Sequence, residues 1–448
     1  MVDMLAGAHV DIKRKFSTKL KLLCWMAAAV VLTILLFVFF RLMHPGGADP
    51  VPPISGAPIS DVVVRGEYLA RAADCVACHT SASGKPFSGG RSFLTPFGVL
   101  YSSNITSDKQ HGIGSWSDEE FLKAVRDGIG REGNLYPAMP YTSYTAMSRD
   151  DVLAIKAYLL STPPAAEPNP PNKIGFPFNQ RWGLKFWNLV FFSSQRFQAN
   201  EEQTVQWNRG AYLTNALGHC GECHTPRNIG FALSEGRAFS GGNIEGWLAP
   251  NLTSDHSSGL GGWRDEQLLA YLQTGHAQGR SSASGPMAEV IEYSLQYLSE
   301  ADLRSMLKYL RTVDSKLGDA SDTDLSPESV SRSNSVLPGT SAIVSDTGLK
   351  LFAGDCAGCH LWNGRGRQSS YADLVGTRSV NDPKGSSVVQ VILDGSEITV
   401  DGQRVQMPGF RYKYSNEQVA FLANYVLKHF GNKQGTVTSE DVAAQRNP

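Results

Sequence analysis

The first forty residues divide into a polar segment and an uninterrupted apolar run. Residues 1–21 contain five lysines and arginines, and Leu22–Phe40 contains no charged residue before Arg41. As a helix, this run would extend about 28 Å, close to the thickness of a bilayer core. The pattern predicts a transmembrane helix over 22–43 after a cytoplasmic basic segment over 1–21, because positive charge collects on the cytoplasmic side. A cleaved signal peptide is the alternative, with residues 46–48 as a faint cleavage candidate.

The remainder of the chain alternates between amphipathic stretches and breaker residues. A linker rich in Pro, Gly and Ala occupies 44–60. Ser117 followed by Glu120 forms a capping-box pattern that predicts a helix over 117–127. Ser148 begins another predicted helix, which ends at residue 160 before a pair of prolines. A further helix is expected over 416–429. The chain is therefore predicted to be all-α.

One sequence frame occurs twice, which indicates a duplicated domain. It consists of Arg-Gly-x-Tyr-Leu at 65–69 and 209–213, Phe-Ser-Gly-Gly at 87–90 and 239–242, and Asn-x-Thr-Ser-Asp at 104–108 and 251–255. We name 61–165 domain one and 201–314 domain two. Domain three, 341–431, keeps a closing helix but has no Asn-x-Thr-Ser-Asp segment. An aromatic linker over 166–200, a Ser- and Asp-rich linker over 315–340 and a polar tail over 432–448 complete the chain.

Each domain contains one Cys-x-x-Cys-His motif. The copies are Cys75, Cys78 and His79; Cys220, Cys223 and His224; and Cys356, Cys359 and His360. Two thiols at this spacing can form thioethers with the vinyl groups of one porphyrin, and the adjacent histidine can ligate its iron. A single copy would also suit a zinc knuckle or a redox dithiol. Three copies in three domains predict three covalently attached haem c groups and three tandem cytochrome c domains behind the transmembrane helix.

A second axial ligand is expected in each domain. Met139 and Met287 lie 23 and 24 residues after the tryptophan that the frame repeats, so they occupy equivalent positions. Met407, which precedes a proline, is the only methionine after the third motif. A methionine at this place closes the iron and raises its reduction potential. His276 is an alternative to Met287.

Aromatic residues are concentrated between domains one and two. Seven of them lie within Phe176–Phe192, together with Arg181 and Lys185. One interpretation is a linker that packs on its neighbouring domains. The other is contact with a membrane surface or with a lipid-like quinone, because aromatic rings suit that interface.

Charge and cysteine content narrow the function classes. With 41 basic and 42 acidic residues the formal net charge is −1. The sequence therefore lacks the excess of basic residues that is typical of nucleic-acid binding. Six of the seven cysteines belong to the three motifs, and Cys24 remains. Covalent haem attachment is normally completed outside the cytoplasmic membrane. The expected location is therefore the bacterial inner membrane, single pass, with the N-terminus cytoplasmic and the haem domains periplasmic.

With its three motifs and duplicated frame, the chain resembles the triple-haem cytochrome c subunits of bacterial membrane-bound dehydrogenases. The resemblance covers about 61–430. It implies axial ligation by the three motif histidines and by Met139, Met287 and Met407. It also implies a catalytic dehydrogenase partner, with membrane lipid and ubiquinone as further partners. The predicted anchor favours a partner of the molybdenum-hydroxylase type with an iron–sulfur subunit, as in aldehyde dehydrogenases, while a quinoprotein or flavoprotein is possible.

The expected function is electron transfer, with no catalytic residues in this chain. Electrons would pass from the catalytic subunit through three c-type haems to ubiquinone. Two alternatives belong to other classes. The chain could deliver electrons to a terminal oxidase, or it could be a haem enzyme with one open iron site. The second alternative requires an iron that no methionine closes.

Overall fold

A computed structural model describes residues 21, 23–29, 32–33, 36, 61–317, 346–367, 369–382, 384–431 and 436–446. From residue 61 onwards its α-helices are α1 Val62–Ala72, α2 Cys75–His79, α3 Asp118–Asp127, α4 Tyr141–Tyr144, α5 Arg149–Ser161, α6 Leu184–Phe191, α7 Val205–Tyr212, α8 Gly221–His224, α9 Asp265–Thr274, α10 Pro286–Tyr293, α11 Glu300–Leu310, α12 Thr347–Asp355, α13 Ala357–His360, α14 Ser386–Asp394, α15 Asn416–Phe430 and α16 Ser439–Arg446. A π-helical stretch, Leu213–Leu217, continues α7, and 3-10 turns lie at Arg181–Gly183, Glu235–Arg237, Leu295–Tyr297 and Ser370–Ala372.

The described strands form small antiparallel sheets. They are β1 Ser92–Thr95, β2 Gly98–Tyr101, β3 Ile129–Gly130, β4 Gly133–Asn134, β5 Lys173–Ile174, β6 Gly242–Ile244, β7 Trp247–Ala249, β8 His276–Ala277, β9 Ser281–Ser282, β10 Ser396–Val400 and β11 Gln403–Met407. In the three-stranded sheet the order is β1, β2, β5, and the other strands pair as two-stranded hairpins. The all-α prediction is therefore wrong. Strands of two to five residues are too short to produce a detectable alternation of polar and apolar positions.

The N-terminal prediction also needs correction. In the described part of the chain, no helix is long and apolar enough to cross a membrane. Of the predicted span 22–43, the structure describes residues 23–29, 32–33 and 36. The predicted transmembrane helix over 22–43, and the single-pass inner-membrane location inferred from it, are thus not supported. Residues 1–20, the linker 44–60 and 318–340 of the second linker lie outside the described residues.

In each domain the helix before the haem motif crosses the closing helix at a glycine. A Cβ on Gly66 of α1 would lie 1.9 Å from the carbonyl oxygen of Ala154 in α5. A Cβ on Gly210 of α7 would lie 1.8 Å from that of Ser305 in α11. In domain three, Gly348 of α12 would approach Phe421 O of α15 to 2.3 Å. Only glycine allows such close approach, and this crossing fixes where each motif starts.

The predicted helix starts at Ser117 and Ser148 are confirmed. The Ser117 side chain accepts from the Glu120 amide, and Glu120 in return caps the Ser117 amide. Ser148 accepts from the amide of Asp151 at the start of α5. These bonds satisfy N–H groups that the first helical turn cannot pair.

Two hydrophobic cores are present in the described residues. The first combines domains one and two and also includes Ile398 and Val400 of β10. The second belongs to domain three. Part of the polar tail completes this second core, because α16 buries Val442 completely and Arg446 donates to Asn416 Oδ1 over 2.8 Å.

Candidate functional site

Each haem motif occupies a short turn of helix directly after a longer one. In domain one, α1 ends at Ala72, Asp74 takes a left-handed backbone with φ 52°, and α2 begins at Cys75. In domain two, His219 has φ 36° before the second motif. In domain three, α12 ends at Asp355 and α13 follows Cys356. The sharp turn brings both cysteines and the histidine of one motif onto the same short segment.

The three motif histidines share one hydrogen-bond arrangement. The Nδ1 atom of His79 lies 2.7 Å from the carbonyl oxygen of Ser103. His224 makes the same contact with Pro250 O at 2.7 Å, and His360 makes it with Ala372 O at 2.7 Å. A carbonyl oxygen can only accept, so Nδ1 carries the proton and Nε2 retains the lone pair that a metal requires.

The carbonyl that orients each histidine directly precedes an Asx turn. Asn104 Oδ1 accepts from the Thr106 amide over 2.9 Å, and Asn251 Oδ1 accepts from the Thr253 amide over 2.8 Å. In domain three, Asp373 Oδ1 accepts from the Val375 amide over 3.0 Å. Domain three therefore retains this device, which sequence reasoning missed. The loop from the motif histidine is much shorter there, and an Asp-x-Val replaces the Asn-x-Thr that marks the frame.

The ionisation of these residues suits a haem. Burial lowers the pKa of His79 and His360 and lowers that of His224 to about 4, so each imidazole is neutral and able to ligate. Burial raises the pKa of the Cys75, Cys78, Cys220 and Cys356 thiols to about 12 and that of Cys223 to about 11. All six motif cysteines are free of disulfides. The donor set of each motif therefore fits haem c.

The three predicted methionines lie in different local structures. Met139 precedes α4 in a loop where its amide donates to Tyr136 O over 3.0 Å. Met287 is the second residue of α10, and both methionines pack against the first core. Met407 ends β11 and pairs with Ser396. Met147 and Met306, which the frame excludes, are buried core residues.

His276 has its own partners. Its Nδ1 lies 3.0 Å from Ser282 Oγ, and its ring centroid lies 5.1 Å from that of Tyr371 in domain three. The choice between Met287 and His276 stays a prediction, as do the other ligand assignments.

The structure brings the first two motifs together. Burial, Asp74 and Glu289 raise the pKa of Cys78, and Cys223 adds a smaller contribution, so these two thiols lie within electrostatic range. Glu222, inside the second motif, accepts from Thr142 Oγ1 over 2.7 Å and from Ser143 Oγ over 3.0 Å. Domain one thus forms direct hydrogen bonds with the second motif.

Domain three is docked on domain two. Its hairpin β10–β11 lies on α10, where the Thr399 amide donates to Glu292 Oε2 over 3.1 Å. Arg378 donates to Ser258 O and Gly259 O over 2.5 and 2.6 Å. After burial, Arg378 further lowers the pKa of His224, so its charge lies close to the second motif. Sequence reasoning missed Arg378, because nothing in its local pattern marks it.

Comparisons with known proteins agree with this geometry. A family model described as Cytochrome c matches residues 63–163 and 345–430. The fructose dehydrogenase cytochrome subunit of Gluconobacter japonicus is 38% identical over 421 residues, covering 89% of this chain and 85% of the relative. The gluconate 2-dehydrogenase cytochrome c subunit of Pantoea cypripedii is 38% identical over 402 residues, covering 86% and 89%. The cytochrome c subunit of the quinone alcohol dehydrogenase of Gluconobacter oxydans is 33% identical over 440 residues, covering 94% and 87%.

These relatives match over most of their own length and are named as subunits of dehydrogenases. The resemblance to cytochrome c subunits of dehydrogenases is thereby confirmed, and so is the expected role in electron transfer. The chain belongs to the family of cytochrome c subunits of dehydrogenases, which carry electrons away from the catalytic subunit through haem c.

Proposed function

We propose that the chain holds three haem c groups, one in each of its three domains, and conducts electrons from domain three through domain two to domain one. The observation that carries this proposal is the shared bond from the histidine Nδ1 to a carbonyl oxygen, at 2.7 Å in all three motifs. Bound haem c supplies a one-electron iron couple. The motif cysteines would hold it, and the motif histidines together with Met139, Met287 and Met407 would ligate its iron.

The contacts between domains support this order. Domain three meets domain two through Arg378 and through β10, which leads by a tight turn to the strand carrying Met407. Domain two meets domain one at Glu222 and at Glu289 of α10, which pairs with Arg91 over 2.7 Å. Cys359 is exposed, whereas Cys78 and Cys223 are half-buried. Cys356 of the same motif is buried, so the accessible edge of the third motif is the one at Cys359. An accessible edge suits the station that receives electrons from the catalytic partner.

The aromatic segment supports domain one as the exit. The loop that carries Met139 lies against this segment on both sides. Tyr136 donates to Phe178 O over 3.0 Å, and Tyr141 donates to Asn188 Oδ1 over 2.7 Å. The segment therefore connects the axial-ligand loop of domain one with the surface.

The segment has two faces. Trp187 packs inward, where its Nε1 donates to Gly230 O over 2.8 Å. Trp182 and Phe186 point outward and are each 64% exposed, and Phe176 is 82% exposed. A group of large, solvent-exposed apolar side chains indicates an interaction surface. The inward face supports the interpretation as a packed linker, and the outward face supports the interpretation as an interaction surface.

We further propose that the outward face meets a lipid surface and passes electrons to ubiquinone dissolved in it. Arg181 and Lys185 adjoin the exposed rings, so cations can lie at the headgroups while the rings enter the apolar layer. The relatives from Gluconobacter oxydans and Gluconacetobacter polyoxogenes are named as cytochrome c subunits of an alcohol dehydrogenase (quinone), which agrees with a quinone acceptor.

The partner is a catalytic dehydrogenase subunit. Fructose, gluconate and alcohol dehydrogenases among the relatives favour a partner that oxidises a hydroxyl-bearing substrate. A molybdenum-hydroxylase partner with an iron–sulfur subunit stays a prediction. Purifying the intact complex and identifying its subunits by mass spectrometry decides between these classes.

The experiment that tests the exit uses Trp182→Ala together with Phe186→Ala in the intact complex. Substrate oxidation with a soluble dye should be unchanged, while reduction of ubiquinone in vesicles should fall about tenfold or more, since burying one large apolar side chain contributes about 1.5–3 kcal/mol. Phe421→Ala, which removes an exposed ring from domain three, is the matched control and should change neither activity. An equal fall of both activities would overturn the assignment.

A further inference from the structure

The repeated Arg-Gly-x-Tyr motif contains a tyrosine that haem binding does not explain. Tyr212 of domain two donates to Asp151 Oδ2 of domain one over 2.6 Å. Tyr68 of domain one donates to Asp302 Oδ2 of domain two over 2.7 Å. Equivalent tyrosines therefore bind equivalent aspartates of the opposite domain, in both directions.

Each tyrosine hydroxyl also accepts a hydrogen bond, so it has both a donor and an acceptor in the opposite domain. The Ser148 amide donates to Tyr212 Oη over 3.1 Å, and the Ser299 amide donates to Tyr68 Oη over 3.1 Å. These serines cap α5 and α11, which are the closing helices of the two domains. Burial raises the pKa of Tyr212, so its hydroxyl keeps the proton that it donates.

Each aspartate is held as well by an arginine of its own domain. Arg65 contacts Asp151 Oδ1, and Arg209 Nε donates to Asp302 Oδ1 over 2.9 Å. Both aspartates are buried. Removing one tyrosine hydroxyl would leave a buried carboxylate oxygen short of a donor, which a folded protein tolerates poorly.

Domain three has a haem motif but lacks the tyrosine and the aspartate of this arrangement. It retains Gly348 at the helix crossing and the Nδ1 bond of His360, yet Thr347 and Lys350 stand where the frame has arginine and tyrosine. At its closing helix, Gln418 takes the place of the aspartate. The tyrosine and aspartate therefore serve the pair of domains and not the haem site of a single domain.

The tyrosines lie on the helices that lead into the first two motifs. Tyr68 is on α1, which precedes Cys75, and Tyr212 ends α7, which precedes Cys220. Any rotation of one domain against the other would pivot both helices and so move the two motifs apart. Because electron tunnelling falls steeply with distance, the spacing of these motifs controls the transfer rate between them.

We propose that the reciprocal pairs Tyr68–Asp302 and Tyr212–Asp151 position the haem sites of domains one and two at a fixed spacing, so that these domains act as one electron-transfer unit. Domain three docks on this unit separately. The four residues are positioning residues, because they act by joining the two domains. This inference rests on the proposed haem assignment only for its effect on electron transfer.

The first test measures amide exchange with Tyr68→Phe and Tyr212→Phe as single variants. Tyr212→Phe should accelerate exchange at Ser148, in domain one, and Tyr68→Phe should accelerate it at Ser299, in domain two. Tyr144→Phe is the matched control, because it removes a buried hydroxyl whose acceptor, Ala73 O at 2.6 Å, lies in its own domain. Effects confined to the domain that carries the substitution would overturn the proposal.

The second test uses the haem-loaded double variant. Haem content and the three reduction potentials should be retained, while the distance distribution between the first two irons, measured by pulsed electron paramagnetic resonance, should broaden. Electron exchange between domains one and two should slow severalfold, and exchange between domains two and three should stay unchanged. If the double variant does not fold, the single variants decide by the same measurements.

The outcomes separate this inference from the proposed function. Faster exchange at Ser148 and Ser299 with an unchanged iron–iron distance would overturn it, because the tyrosines would then only cap helices. A chain with fewer than three haems but with cross-domain exchange effects would contradict the proposed function and leave the pairing of the domains intact.

Discussion

Domains one and two differ from domain three in which parts of the repeated frame they keep. All three have the helix-crossing glycine, the haem motif and the carbonyl that orients its histidine. Only the first two have the arginine, tyrosine and aspartate that join one domain to the other. The comparison divides the repeated residues into those that serve a haem and those that serve a neighbouring domain. Repetition alone does not separate these two roles.

The largest effect is expected at the helix crossings. Gly210→Ala places a Cβ 1.8 Å from Ser305 O, so α7 and α11 must separate at a cost of about 3 kcal/mol or more. Protection of amides in α1 should fall with that of α7, because the domains share a core. Gly348→Ala should instead lower the amide protection of domain three alone. Hydrogen exchange of α1 and α15 measures both effects.

Gly354→Ala is the control for this comparison. It lies on the same helix as Gly348, and a Cβ there meets nothing within 4 Å. It should stabilise domain three by about 0.4–1 kcal/mol, since alanine restricts the unfolded chain. Unchanged protection of α1 in Gly210→Ala would show that domains one and two unfold independently.

The second prediction compares axial ligands. Met139→His or Met407→His should leave each haem attached and low-spin but lower its potential by on the order of 0.1–0.4 V, because imidazole replaces the thioether. Redox titration resolves which haem shifts. Met147→Leu changes a buried core methionine and should leave all potentials in place. An unshifted potential in either histidine variant would refute that ligand.

The smallest effect concerns the aspartate that directly precedes the first cysteine of a motif. Its pKa is raised in domain one and lowered in domain three. Burial raises the pKa of Asp74 well above its usual value, and Glu289 adds to this. Hydrogen bonds from Lys413 and Tyr414 lower the pKa of Asp355. A raised carboxyl pKa means that stability is lost as pH rises above about 4, and a lowered one means that stability is lost as pH falls below about 4.

Asp74→Asn should therefore raise the unfolding temperature at pH 8 by an amount corresponding to about 1–3 kcal/mol. At pH 4 it should change the unfolding temperature little. Asp355→Asn should lower it at pH 8 by the equivalent of less than about 1 kcal/mol, because the pair with Lys413 is partly exposed and screened. Calorimetry at both pH values checks the signs. Shifts of the same sign at pH 8 would contradict the comparison.

Sequence reasoning found the residues whose chemistry depends on local spacing. The residues of each motif and the capping serines lie within a few residues of their partners, and the repeated glycines stand out because the sequence frame occurs twice. It missed Asp373, because its Asp-x-Val turn with Val375 differs from the Asn-x-Thr of the repeated frame. It also missed Arg378, because its acceptor Ser258 lies in another domain. It also missed the short hairpins, which depend on tight turns such as Asp401-Gly402, with φ of 50° and 74°. The apolar run over 22–40 predicted a spanning helix, and in the part of the chain that the structure describes no helix is long and apolar enough to cross a membrane.

The central claim is that all three motifs hold haem c through the same cysteine and histidine arrangement. The most direct measurement is the haem content of the purified chain by pyridine haemochrome, paired with His79→Ala, His224→Ala and His360→Ala. We expect three haems per chain, with each substitution altering the spectrum and potential of one haem alone. A count of two, or a substitution that leaves every spectrum unchanged, would contradict it.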